Sequence, residues 1–256
     1  MKTGELQRLL AAVERIARQA GELILEVYAG DFVVRGKADE SPVTVADERA
    51  EALITTALQA LTPSWPVVAE EAAGRGECPV VGDTFWLVDP LDGTREFVAR
   101  NGEFTVNIAL VVRGEPLLGV VYVPVQDTMY AGAASLGAWV ERGGQRLAIS
   151  CRHLPDEGAT LLGSRWHGND AAVQAWVQDK RVGARITAGS SLKFGLLAEG
   201  RADLYPRFGR TMEWDTAAGH ALLVAAGGRV VDLQGRPLWY GKPGFENPDF
   251  VAHGRC

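Results

Sequence analysis

Apolar residues recur at helical spacing from the start of the chain. Leu6, Leu9, Leu10, Val13, Ile16, Ala20, Ile24 and Val27 form one stripe, with Glu and Arg on the opposite face. This predicts a long amphipathic helix, and its mixed polar face suits core packing better than a membrane surface. After a polar loop over 36–42, a second helix begins near Thr44 and turns Ala50, Leu53, Ile54, Ala57, Leu58 and Leu61 inward. Thr62-Pro63 ends it. The pattern then becomes β-like: Pro66–Ala69, Phe85–Val88, Phe104–Val112, Pro116–Val125, Met129–Gly132 and Ala138–Glu141 read as strands. Arg113-Gly114 and Gly143-Gly144 mark turns between them. A polar stretch around 150–158 suggests a boundary, and beyond it strand and helix alternate: Thr160–Leu162, Ala171–Val177, Arg185–Thr187, Leu192–Glu199. The expectation is an α/β (α+β) fold of two intimate subdomains, 1–150 and 151–256, the second with a βαβ-type sheet.

Composition narrows the function. The chain has 256 residues, 47% hydrophobic and 23% charged, enough for a sizeable core. A net charge of −6 without a basic run argues against a nucleic-acid polymer as partner, while leaving room for a small phosphorylated ligand. Cys78, Cys151 and Cys256 are scattered and lack metal-type spacing, which fits a reducing compartment. No apolar run is long enough to span a membrane and no signal-peptide pattern opens the chain, so a cytoplasmic location is expected.

Three elements end or begin in acids. The strand 85–88 runs into Asp89-Pro90-Leu91-Asp92-Gly93-Thr94, and the strand before it stops at Glu70-Glu71. A late helix opens on Glu213-Trp214-Asp215. Carboxylates packed against apolar strands need partners, and hard oxygen donors of this kind suit Mg²⁺, which shares its site with substrate phosphates. Gly93 and Thr94 offer backbone N–H groups to such a phosphate. Each acid also has a plainer account. Asp89 and Asp92 fit a turn after a core strand, Glu-Glu a solvated surface, and Asp215 a helix cap. Asp47, three residues after Thr44, fits a capping box, or a proton acceptor if a partner stands nearby.

Taken together and in order, Asp89–Thr94 (DPLDGT), Glu70-Glu71 after a strand, and Trp214–Gly219 (WDTAAG) resemble the inositol-monophosphatase superfamily of Mg²⁺-dependent, lithium-sensitive phosphomonoesterases. The segments 41–47 (SPVTVAD), 85–94, 101–110 (NGEFTVNIAL), 189–194 (GSSLKF) and 204–209 (LYPRFG) are similar to its 3′(2′),5′-bisphosphate nucleotidase branch, the CysQ type. Only 72–83 departs from that pattern. The resemblance implies a layered α/β/α/β/α sandwich and two or three Mg²⁺ ions. It assigns Glu70, Asp89, Asp92 and Asp215 as metal carboxylates and Leu91 as a carbonyl ligand, with Glu71 outside the coordination sphere. Asp47 and Thr94 correspond to the pair that orients the attacking water, with Glu70 beside them. Glu70, Leu91, Asp92, Gly93, Thr94 and Asp215 would also face the substrate phosphate.

The rest of the substrate needs charge and a flat surface elsewhere. Gly189-Ser190-Ser191 precedes a helix and can bind an anion, or merely cap. Lys193 and Arg207 can pair with a second phosphate and Tyr205 can stack on a base, although surface placement explains the charges equally. Ser164 and His167 lie in SRWH, similar to a segment of the nucleotidase branch. The expectation is hydrolysis of the 3′-phosphate of adenosine 3′,5′-bisphosphate to AMP, clearing a by-product of sulfate assimilation. Inositol 1-phosphate or fructose 1,6-bisphosphate is the alternative substrate, and a non-catalytic nucleotide or metal binder the alternative class. The enzyme is expected as a monomer or homodimer, with peripheral association at the inner face of the cell membrane allowed by family analogy.

Overall fold

Two sheets built from consecutive stretches of chain carry the fold. The computed structural model describes residues 1–36, 42–165 and 170–255. The chain opens with α1 (Thr3–Ala29), a small antiparallel pair β1 (Arg35–Gly36) and β2 (Pro42–Val43), and α2 (Val45–Leu61). Then follow β3 (Val67–Ala69), α3 (Glu70–Gly74), β4 (Thr84–Asp92) and α4 (Thr94–Val98). The meander β5 (Thr105–Val112), β6 (Glu115–Val123), β7 (Thr128–Ala133), β8 (Gly137–Arg142) and β9 (Gln145–Ile149) completes a seven-stranded sheet in the order β3 to β9. β3 and β4 run parallel and every later pair is antiparallel.

The second half supplies β10 (Ala159–Ser164), α5 (Asp170–Val177), β11 (Val182–Ala188), α6 (Leu192–Ala198), β12 (Leu204–Arg207), α7 (Glu213–Ala225), β13 (Arg229–Asp232) and β14 (Phe250–His253). Its five strands are ordered β11-β10-β12-β14-β13. The crossover through α5 gives the expected parallel pair, but β14 runs antiparallel to both its neighbours, so the sheet is mixed.

Both faces of the first sheet are covered, which is why its central strands are continuously apolar. Trp86, Val88, Ile108, Leu110 and Val120 pack with α1 and α2, while Phe85, Leu87, Ala109, Val111 and Val121 pack with α6 and α7. Helices α6 and α7 thus lie between the two sheets, and the layers stack as helices, sheet, helices, sheet, with α5 in the crossover from β10 to β11. Among the described residues no helix is long and apolar enough to cross a membrane.

Candidate active site

Strand pairing explains how two distant acids meet. β3 and β4 are parallel in the register Val67–Trp86, Val68–Leu87, Ala69–Val88, so the next residues, Glu70 and Asp89, emerge side by side at the same end of the sheet. Beyond Asp89 the β4–β5 register slips before Asp92 pairs with Thr105. Such a bulge re-aims side chains at a strand end. Asp89 is buried, and its Oδ1 accepts the Leu91 N–H at 3.0 Å. Gly93 turns the chain in the left-handed region at φ 92°, where a Cβ would come within 3.1 Å of the Glu96 carboxylate and 3.2 Å of Ser190. No larger residue fits that turn without displacing one of them.

The second half closes the site through α6 and α7. Asp215 sits in the first turn of α7, where its Oδ2 accepts the Met212 N–H at 2.7 Å. Ser191 ties this helix to the first sheet. Its N–H donates to Asp92 Oδ2 at 2.6 Å and its hydroxyl donates to the Asp215 carbonyl at 2.8 Å. Asn107, buried on β5, donates to both Ser191 Oγ (2.9 Å) and Asp92 Oδ2 (3.2 Å).

These carboxylates repel one another in a buried setting. Burial, followed by the charges of Glu70, Asp92 and Asp215, holds the Asp89 carboxyl well above the usual range. Asp215 is pushed up to about 8 by burial and by Asp92 and Glu70, against the opposing Met212 N–H and Arg207. Among the described residues no three such side chains are already gathered as a finished metal shell, and Asp89 and Glu70 share a hydrogen bond instead. The donor set nevertheless fits a hard cation. It consists wholly of carboxylate and carbonyl oxygens, and its accumulated negative charge is relieved only by protons or by a cation.

Behind this cluster Asp47 serves both Thr44 and Thr94. Its Oδ2 accepts the Thr44 N–H (2.8 Å) and the Thr44 hydroxyl (2.7 Å), closing the capping box of α2. Its Oδ1 accepts the Thr94 hydroxyl at 3.1 Å. The two sequence readings of Asp47 are therefore compatible, because each uses a different oxygen.

A cavity of about 720 Å³ joins these groups. Its walls include Glu70, Asp89, Leu91, Asp92, Gly93, Thr94, Ser164, Ser190, Ser191, Lys193, Tyr205, Arg207 and Asp215, with Asp47 just behind Thr94. His167 lies outside the described residues. Several substrate-side expectations meet side chains already engaged. The Ser191 N–H and hydroxyl are taken by Asp92 and Asp215, not held open for an anion. Lys193 Nζ donates to the Ser190 carbonyl at 2.6 Å and the Ala188 carbonyl at 3.3 Å, and lies 5.1 Å from the Tyr205 ring centre. Tyr205 is only 5% exposed, edge-on to Phe194 and Phe250, so its ring belongs to the core before any base reaches it. Arg207 remains beside Asp215, with one N–H on the Arg210 carbonyl at 3.1 Å.

Sequence reasoning passed over Asn107 and Glu103. Glu103 accepts the Gly189 N–H at 2.8 Å, and its carbonyl accepts the Ser190 hydroxyl at 2.8 Å. Together these bonds hold Ser190 at φ 44°. For Asn107 a signal exists: a single amide in the apolar run Val106-Asn107-Ile108 must find buried partners.

Known proteins share this architecture. Over 245 residues the chain is 49% identical to 3′(2′),5′-bisphosphate nucleotidase CysQ of Escherichia coli, covering 94% of this chain and 98% of that one. The crystal structure of CysQ from Bacteroides thetaiotaomicron superposes with a TM-score of 0.82 at 37% identity, covering 98% of each chain. The inositol monophosphatase of Anabaena superposes at 0.77 with 25% identity, over 98% of this chain and 92% of its own. The sequence profile of the inositol monophosphatase family matches residues 5–253, a span that takes in both sheets and every acid of the cavity, and the chain belongs to that family.

Proposed function

We propose that the protein is a Mg²⁺-dependent phosphomonoesterase that removes the 3′-phosphate of adenosine 3′,5′-bisphosphate and leaves AMP. The observation that carries this reading is the convergence of Glu70, Asp89, Asp92, Asp215 and Thr94 on one cavity, with Asp47 behind Thr94. A pure binder of nucleotide or metal has no use for that hydroxyl–carboxylate pair. The bisphosphate nucleotidases among its relatives support the choice of substrate.

Two or three Mg²⁺ ions would be held by Glu70, Asp89, Asp92, Asp215 and the Leu91 carbonyl. Bound there, they supply Lewis-acid polarisation of the phosphoryl group, a lowered pKa for water and charge neutralisation at the leaving oxygen. The chain's own contribution is positional, as phosphoryl transfer demands. Thr94 gives its hydroxyl proton to Asp47 Oδ1, so its lone pairs point outward to accept a proton from the attacking water. Asp47 cannot swing away, because Thr44 holds its other oxygen. Gly93 keeps the backbone close to the phosphate, and Ser190 and Ser191 brace the wall beside Asp92 and Asp215. Arg207 is the cation best placed for the second phosphate, with Lys193 and Tyr205 shaping that wall from within.

By the same reading the enzyme is cytoplasmic, a monomer or homodimer, with the nucleotide held by residues after 150. Phosphate release from a panel of substrates, with and without Mg²⁺, tests the proposal. Adenosine 3′,5′-bisphosphate should be turned over fastest, and only with metal. Preference for inositol 1-phosphate or fructose 1,6-bisphosphate would replace the substrate, and no metal-dependent release would overturn the reading.

A further inference from the structure

Glu70 stands on weak foundations of its own. It opens α3, a helix of only five residues whose N-cap, Ala69, provides no side-chain cap. An isolated turn of that length does not hold itself together, and its first N–H groups need acceptors. The acceptor comes from another element. Glu51 of α2 is 5% exposed, and its Oε2 accepts the Glu71 N–H at 2.6 Å while its Oε1 accepts the Ala72 N–H at 2.9 Å. Arg75, just past the end of α3, lies 3.5 Å from Oε1. A carboxylate receiving two N–H groups from the start of a helix is a charge-assisted cap, stronger than a neutral one.

We propose that Glu51 is a positioning residue of the metal site, fixing the first turn of α3 and with it the direction in which Glu70 presents its carboxylate. This rests on the reading of Glu70 as a metal ligand. Asp47 and Glu51 are four residues apart, hence on one face of α2. One rigid helix therefore holds both the Thr94 hydroxyl and the Glu70 turn, and sets their spacing. The arrangement resembles the hydrogen-bonded partners that orient metal ligands elsewhere, whose loss costs roughly ten- to a hundredfold in metal affinity or activity.

The test is a Mg²⁺ titration of Glu51→Gln and Glu51→Ala, followed by the metal-induced rise in melting temperature and separately by phosphate release. In Glu51→Gln one oxygen still accepts an N–H, while the new amide faces the other N–H donor to donor. The Mg²⁺ concentration for half-saturation should rise about tenfold in Glu51→Gln and more in Glu51→Ala. Turnover at saturating Mg²⁺ should stay within a few-fold of wild type. Leu58→Ala, in the buried face of the same helix, provides the comparison for stability alone: a lower melting temperature with the wild-type Mg²⁺ midpoint. Should Glu51→Ala not fold, the Glu51→Gln midpoint decides. A wild-type midpoint in Glu51→Gln, with Glu70→Gln losing its metal response, overturns the inference and spares the reading of Glu70. Wild-type midpoints in both variants overturn the two together.

Discussion

Helices α2 and α7 begin alike but set their first-turn aspartates in different surroundings. Each carries an aspartate in its first turn that accepts the N–H of the residue before the helix, Thr44 for Asp47 and Met212 for Asp215, at 2.8 and 2.7 Å. The difference lies in what surrounds the rest of each carboxylate. Asp47 adds two hydroxyl donors, from Thr44 and Thr94. Asp215 lies among Asp92 and Glu70 and is pushed up to about 8. The lesson concerns the capping explanation itself. A capping acid commits one oxygen to its helix and leaves the other available, so capping and chemistry are complementary uses of a single side chain.

The comparison breaks most visibly if both aspartates are made neutral. Asp215→Asn keeps an acceptor for the Met212 N–H but removes a charge from the cluster. We expect a folded protein whose turnover drops by at least about a hundredfold and whose melting temperature no longer responds to Mg²⁺. Asp47→Asn should cost about a hundredfold in kcat through the misplaced Thr94 hydroxyl, yet retain the wild-type thermal response to Mg²⁺. Equal loss of metal response in both would erase the distinction.

A smaller effect appears with pH in metal-free protein. The folded-state pKa of Asp215 is raised above its unfolded value, so the folded state keeps a proton that the unfolded chain releases. Stability therefore falls as pH rises from about 4 to about 8 and levels beyond, and Asp215→Asn should flatten that slope in thermal melts. The stabilisation by Mg²⁺ should grow over the same window, as metal and proton compete. The smallest change is Thr44→Ala, which removes the hydroxyl's share of the α2 cap. It should cost about 0.5–2 kcal/mol in a denaturant melt and reduce kcat a few-fold by loosening Asp47.

What could be read from the sequence was whatever depends on neighbours along the chain. The apolar period of α1, the strand running into Asp89, and Thr44 with Asp47 are local patterns, and each is where its residues placed it. Several strands late in each sheet escaped. β9 is exposed along most of its length and shows no alternation, while β13 and β14 have four residues each. Partnerships across the fold escaped as well. Lys193 is a cation set between Leu192 and Phe194, and its neighbours along the chain do not name the two carbonyls onto which its ammonium turns. Ser191 was legible as a polar residue before a helix, but its bonds to Asp92 and Asp215 depend on how the two sheets stack.

The parallel pair β3–β4 has a consequence for how the chain tolerates change. The distance between Glu70 and Asp89 is set by a hydrogen-bonded ladder and owes nothing to the length of the connection that joins them. That connection is solvent-exposed from Gly74 to Val80. Lengthening a flexible loop costs only a logarithmic increment of closure entropy. A peptide inserted between Pro79 and Val80 should leave Glu70 and Asp89 in register, so any loss of turnover in such a variant would come from the loop's own place in the cavity wall, where Cys78 sits, and not from the acids moving apart.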